Sequence, residues 1–302
     1  LTSIGAATPS ATVIRRPETR RGPSVWRRLR KEIGGNPLAI ASVVIAGVVI
    51  ACSIFAPWLA THDPVDQRIT DRLDPPSREH WLGTDHLGRD MYSRIVWGAR
   101  TSVTIGLLGV LVGAAIGVTL GTISAFYGGK ADGAIAWFVD TLLAFPGILL
   151  AILIMTMLGT GTHNVVLAIG IYSVPTYTRL TRSVVLTAKA QEYFDSARAI
   201  GAGTLRIMVR HLLANSLSPL IVYSTLRMAT AILTIASLSY LGLGVGPPLP
   251  EWGAMVALGQ EYGMLQPHMV FVPGIAISLA IMAFNFLGDA VRDALDPRLR
   301  GR

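Results

Sequence analysis

The chain has 302 residues, of which 51% are hydrophobic and 15% charged, with a net charge of +8 and a mean hydropathy of +0.52. A soluble domain carries about 25% charged residues, so a water-soluble enzyme around a single core is excluded first, and the apolar excess excludes disorder for most of the chain. A single cysteine, Cys52, excludes a disulfide framework and a cysteine-based zinc site.

A membrane-crossing helix needs about 20 predominantly apolar residues. Residues 1–37 hold eight basic residues, Arg15 to Lys31, and two acids, ahead of the uncharged run Leu38–Leu59. This order imitates a signal peptide, and Val49-Ile50-Ala51-Cys52 imitates a lipoprotein cleavage site. The run is longer than a signal core of about 7–15 residues and continues through Trp58 and Leu59, so it reads as a retained anchor. Residues 1–23 are expected to be a mobile tail. Further apolar runs follow at Thr101–Phe126, Ile135–Leu158, Val165–Thr178, Leu217–Leu241 and Met269–Leu287. The fourth is short, carries Pro175 and is expected to continue as a helix into water. We expect an all-α, polytopic membrane protein with six transmembrane helices. Its segments are a tail 1–37, a first span 38–60, a loop 61–100, a five-helix core 101–287 containing the loop 179–214, and a tail 288–302.

Charge placement gives an orientation. Nineteen Lys and Arg fall on the side that holds both termini, against six on the other. The positive-inside rule therefore puts the N- and C-termini in the cytoplasm. The net positive charge is explained by topology, and nucleic acid is not expected as a partner.

Within the spans, glycines recur at 109, 113, 117 and 121. A four-residue step places them on one helix face, where a second helix can approach closely. Asp140 and Arg227 are the ionisable residues deep in the spans, and each would cost about 2.5–3.5 kcal/mol if left alone there. They are expected to face protein or water, either paired with each other or with Arg227 holding a substrate carboxylate. The loop 61–100 contains His62, His80 and His86 among carboxylates, but their spacing matches no zinc pattern and no metal is expected.

The loop 179–214 is too long for a simple connection in a bundle. Ala188–Ile200 reads as a helix, Gly201 and Gly203 break it, and Thr204–Leu213 resumes it. Its amphipathic, charged character points to a surface helix that docks a cytoplasmic protein. Gly128-Gly129-Lys130 is followed by Ala131 and makes no nucleotide-binding loop. No nucleophile, acid–base or metalloprotease pattern is found, so no catalytic residue is expected.

Asp195-Ser196-Ala197-Arg198-Ala199-Ile200-Gly201, continuing to His211-Leu212-Leu213-Ala214, resembles the EAA loop of ABC importer permeases. Asp195 stands for its Glu and Ser196 for its first Ala, while Ala197, Gly201 and Leu213 match; His211 and Ala214 depart from it. Three further stretches look like the peptide-importer permeases. They are Leu82 to Asp90 with Ser93-Arg94 and Gly98 to Ser102; Tyr240 to Gly244 with Pro247 to Met255; and Ala283 to Asp289 with Arg292 to Pro297. From about residue 26 to 300 the chain resembles the C-type permease of dipeptide, oligopeptide and glutathione importers, with the type I ABC importer fold.

The resemblance implies a heterodimer with a B-type permease, two cytoplasmic ABC ATPases that carry the ATP and Mg2+, an extracytoplasmic binding protein, and a location in the bacterial inner membrane. This chain would bind no cofactor itself. Glu192, Asp195, Ser196, Ala197, Arg198 and Gly201 become the candidate ATPase-docking residues. Arg227, Asp140 and Asn285 become candidates for the translocation path. Asp85, Arg89, Asp90, Glu251 and Trp252 become candidates for contact with the binding protein or partner. Close relatives that carry nickel chelates, opines or other small metabolites leave the cargo open, and a stand-alone secondary transporter is the reading from another class.

Overall fold

A computed structural model describes residues 37–192, 194, 203, 206–208 and 214–295. The expected N-terminal tail up to residue 36, the motif residues Asp195, Ser196, Ala197, Arg198 and Gly201, and residues 296–302 lie outside these. Among the described residues the chain is helical, with one isolated bridge between Thr84 and Asp90 and no strand. The helices are α1 (Pro37–Leu59), α2 (Met91–Tyr127), α3 (Gly129–Leu143), α4 (Gly147–Leu158), α5 (Thr162–Lys189), α6 (Ala214–Tyr240), α7 (Trp252–Tyr262) and α8 (His268–Leu295).

Four of these, α1, α2, α6 and α8, are long and apolar enough to cross a membrane. The expected third span is broken: α3 and α4 meet at 88°, and the pair makes a fifth crossing only if it is counted as one. Pro146 is the physical reason, since it lacks an N–H and pushes the preceding residue away from helical backbone. The fourth expected span is helical and does continue past its apolar part, as α5. Arg179, Arg182 and Lys189 occupy its second half, so the whole helix falls short of a spanning composition. Among the described residues, length and composition alone thus mark four crossings, or five with the bent pair counted as one, and this test does not reach the expected six.

The second span begins ten residues earlier than its apolar run. Asp90 caps it, its carboxylate accepting from the Ser93 amide at 2.8 Å, which satisfies a donor that the first turn leaves open. At 37 residues and about 1.5 Å per residue, α2 is about 55 Å long. It therefore projects well beyond a hydrocarbon layer of about 30 Å.

The most extensive pairing in the fold is α2 against α5, and the glycine face makes it. A β-carbon built on Gly109 would lie 2.8 Å from Ile169 Cβ; on Gly113, 2.5 Å from Ser173 Cβ; on Gly117, 2.5 Å from Tyr177 Cβ; on Gly121, 2.8 Å from Thr181 Cβ. Both helices advance four residues per contact, so the backbones stay close over three turns. Around this seam Ile105, Met155, Val165, Ile169, Ile232 and Ile235 are buried. Trp58, Leu111, Trp137 and Phe271 remain exposed, as lipid and partner helices require.

The connections sort into two ends. Residues 60–90, 159–161 and 241–267 meet at one, which we call the head: Gln266 donates to Leu73 O, Gly161 N to Gly244 O, and His86 stacks on Tyr262. The α2–α3 turn, the end of α5, Phe194 and Ile207 meet at the other.

If backbone approach at this seam sets the fold, Gly117→Ala should destabilise the detergent-solubilised chain by about 1–3 kcal/mol, read as a lower thermal midpoint. Gly133→Ala, with nothing within 4 Å of the added carbon, is the control and should not lower it. Equal midpoints for the two variants would refute the seam.

Candidate functional site

Arg227, on α6, is a buried charge within the helical bundle and is 8% exposed. Its Nε and Nη2 each donate to Ser173 Oγ at 3.2 Å, and Nη1 donates to the Tyr172 hydroxyl at 3.3 Å. The guanidinium carbon stands 4.2 Å from the Tyr172 ring centroid. Ser173 spends its own proton on Ile169 O, so its lone pairs face the arginine. Gly147, the first residue of α4, leaves space for the Tyr172 ring, since a β-carbon there would lie 2.0 Å from Cε2. Nearby, the Tyr177 hydroxyl and Ser224 Oγ, 2.8 Å apart, join α5 to α6.

The charge is held but not neutralised. Among the described residues no carboxylate lies in ion-pair contact with Arg227. A desolvated cation–π contact contributes about 2 kcal/mol, comparable to the insertion cost of the arginine. Three of the five guanidinium N–H groups are engaged, which leaves two for an incoming anion.

The pairing of Arg227 with Asp140 is corrected. Asp140 accepts instead from Arg179 at 2.7 Å, both side chains about 60% exposed; a solvated pair of this kind contributes little. Asn285 is exposed on α8. No hydrogen bond or ion pair among the described residues joins the three path candidates.

At the head, Asp85 organises two arginines. Its Oδ2 lies 2.7 Å from Arg89 Nε and 3.5 Å from Arg94 Nε, while Oδ1 accepts from the Leu87 and Arg89 amides. Arg94 also donates to Pro64 O. Gly83 and Gly88 both have φ above +70°, a conformation that suits glycine. A β-carbon on Gly88 would overlap Arg68 O, so the turn closes only without one.

Glu251 caps α7 by accepting from the Gly253 and Ala254 amides, and Trp252 donates to Ile95 O across to α2. Burial pushes the Asp90 carboxyl up. The Ser93 amide and hydroxyl, His80 and His62 outweigh it, and its pKa lies below the usual aspartate value. Burial lowers the pKa of His86, the ring stacked on Tyr262.

Asp85, Arg89, Asp90, Glu251 and Trp252 are each 4% exposed or less. The expectation that they meet a partner directly is therefore corrected: they brace the head from within and shape the surface above them. Beside them, between Leu87, Arg89, Tyr240, Pro247, Pro248 and Ala254, lies a mainly apolar cavity of about 480 Å³.

At the opposite end, Glu192 is exposed, while Phe194 and Ile207 are buried against Ala125, Val185 and Ala188. Arg182 makes a two-pronged bond to Asp132 at 2.7 and 2.6 Å. Lys189 donates to the Ala125 and Phe126 carbonyls, the open end of α2. The motif-based reading did not find Tyr172, Ser173, Phe194 or Ile207. The glycine spacing marks one side of the seam, but nothing local marks the residues that face it.

The long apolar helices, with Arg227 held between them, define a polytopic membrane protein. The chain belongs to the family described as the binding-protein-dependent transport system inner membrane component, matched over residues 117–301. Residues 23–76 match the N-terminal TM domain of oligopeptide transport permease C.

The chain is 44% identical over 276 residues to the glutathione transport system permease protein GsiD of Pectobacterium atrosepticum, covering 91% of this chain and 92% of that one. It is 42% identical over 277 residues to the protein of the same name from Escherichia coli O6:K15:H31, covering 91% and 90%. In fold it is similar to a chain of the MetNI methionine ABC transporter solved in an inward-facing conformation. There the TM-score is 0.55 at 18% identity, covering 68% of this chain and 98% of that one. This is a multi-pass inner-membrane permease subunit of an ABC importer.

Asp85→Asn would leave two buried arginines without their carboxylate. It should cost about 3–5 kcal/mol, seen as a lowered unfolding midpoint and as new protease sites in residues 60–90. An unchanged midpoint would mean that water already compensates these charges.

Proposed function

We propose that this chain forms half of the translocation pathway of an importer for glutathione and other short peptides. Its partners are a B-type permease, two ATPase chains that hold ATP and Mg2+, and a binding protein that delivers the cargo at the head. The observation that carries this is identity above 40% along nine-tenths of the chain to permeases named for glutathione transport. Arg227 supports an anionic cargo, since it keeps free donors and its charge is not neutralised.

In this reading both termini and the loop 179–214 are cytoplasmic, consistent with the excess of Lys and Arg on that side. ATP hydrolysis takes place on the partners. Glu192, Asp195, Ser196, Ala197, Arg198 and Gly201 form the docking helix. Phe194 and Ile207, buried on either side of that motif, root it on the ends of α2 and α5. Closure of the ATPases then moves the bundle as a rigid body between inward and outward openings. Asp85, Arg89, Asp90, Glu251 and Trp252 hold the surface on which the binding protein lands. Asp140 and Asn285 border the path from exposed positions on α3 and α8.

The test is uptake into proteoliposomes that contain the assembled transporter. Glutathione should enter only with ATP inside the complex's ATPase compartment and binding protein outside; uptake driven by a proton gradient without ATP would sink the reading. Arg227→Met should cut uptake of anionic peptide about tenfold, the scale of one charge-assisted hydrogen bond (about 1.5–3 kcal/mol), at equal expression. Deleting residues 195–201 should abolish ATPase association while the chain still inserts, as read by co-purification; retained ATPase would move the docking site elsewhere.

A further inference from the structure

The head also brings together three side chains that neither the seam nor the transport reading uses. His62, Glu79 and His80 each offer a ligand atom within 4.8 Å of the others. His62 follows α1 by three residues, and His80 lies in the loop that precedes α2. Their rings stand 4.8 Å apart, centroid to centroid.

Asp90 sets the histidines. Its Oδ1 lies 2.9 Å from His80 Nδ1 and its Oδ2 3.8 Å from His62 Nδ1. The same carboxylate accepts the Ser93 amide at the start of α2. With His80 Nδ1 donating to it, the lone pair of the neutral ring is on Nε2. That atom is buried and has no hydrogen-bond partner, on a side chain only 7% exposed.

An orphaned buried acceptor is costly, and a cation would satisfy it. A carboxylate that orients a histidine through Nδ1 and leaves Nε2 for a metal is the usual outer support of a zinc ligand. Glu79 is 69% exposed and its nearest charge, Arg68, is 3.8 Å away, so it can swing. Zinc bonds of about 2.0–2.2 Å bring ligand atoms closer together than 4.8 Å, and the exposed Glu79 carboxylate is the group free to close on the imidazoles.

We propose that His62, Glu79 and His80 form a site for a divalent transition metal, taken here as zinc, with water in the fourth position. Two imidazoles and a carboxylate suit zinc and disfavour calcium or magnesium, which demand a shell of oxygens. The metal staples the end of α1 to the loop ahead of α2. This site stands independently of the cargo assignment.

The experiment uses the full chain without a histidine tag, in nanodiscs, stripped with chelator and titrated with Zn2+ against a chromophoric competitor. One zinc should bind per chain at micromolar concentration or tighter and should raise the thermal midpoint. Fluorescence of Trp81, next to His80 and packed on Tyr92, should report the same titration. His62→Gln and Glu79→Gln change side chains that are partly or largely exposed, so both should fold with the metal-free midpoint of the parent. Each should weaken zinc at least tenfold and lose the zinc-induced rise. Wild-type chain that takes up no zinc at tens of micromolar, or variants that bind as tightly as the parent, would overturn the proposal.

Discussion

The approach of α2 to α5 governs the rest of the molecule. Four glycines, each four residues from the next, let the α5 backbone come so close that no β-carbon fits between them. Without a hydrophobic driving force between helices in lipid, such contact is a main source of helix association. The seam also fixes the register of everything α5 carries. Ser173 is one of the residues seated on a glycine, and it is the residue that holds Arg227. Further along the same helix, Arg182 and Lys189 lock onto the α2–α3 turn and the end of α2. One packed pair of helices thus runs from the Asp90-capped head to the base of the proposed docking loop.

Charges in this fold are treated in three ways, and the differences separate structure from function. Asp85, Glu251 and Asp90 are buried with their donors supplied, by arginines or by backbone amides at helix starts. They are braces, and their energetic weight lies in what their loss would expose. Asp140 and Arg179 pair in the open, where solvent screens the attraction. Arg227 alone among these combines burial, neutral partners and spare donors, the state expected of a group that awaits an anion. In the proposed mechanism the same helix pair that positions it also carries the pull of the ATPases.

Much of this was legible in the sequence, and the failures have physical reasons. The apolar runs mark every long helix among the described residues, and the glycine step marks the packing face. Hydropathy bridged Pro146 because Ala144 and Phe145 are as apolar as their neighbours; the break lies in proline geometry. The apolar stretch of α5, the fourth run, is followed by Arg179, Arg182 and Lys189, so the whole helix does not pass as a span on composition. Sequence offers pairing of Asp140 with Arg227 as one of two alternatives, because spacing does not relate helix faces between elements; the fold directs them to Arg179 and Tyr172. The resemblance marks Asp85, Arg89 and Trp252 as partner contacts but carries no information on their burial. Gly83 and Gly88 turn residues 60–90 inward, and the Glu251-capped start of α7 places Trp252 against α2. The docking motif was recognised as a pattern, and its residues 195–198 and 201 lie outside the described ones. Phe194 and Ile207, buried against Ala125, Val185 and Ala188, have no local signature.

In the proposed reading this chain is one membrane subunit of a multi-subunit importer, and other proteins engage both of its ends. A tagged pull-down from native membranes in gentle detergent, read by mass spectrometry of the intact complex, tests this. It should recover a second permease, two ATPase chains and a binding protein carrying a short peptide. Recovery of this chain alone, with the tag verified as accessible, would contradict it.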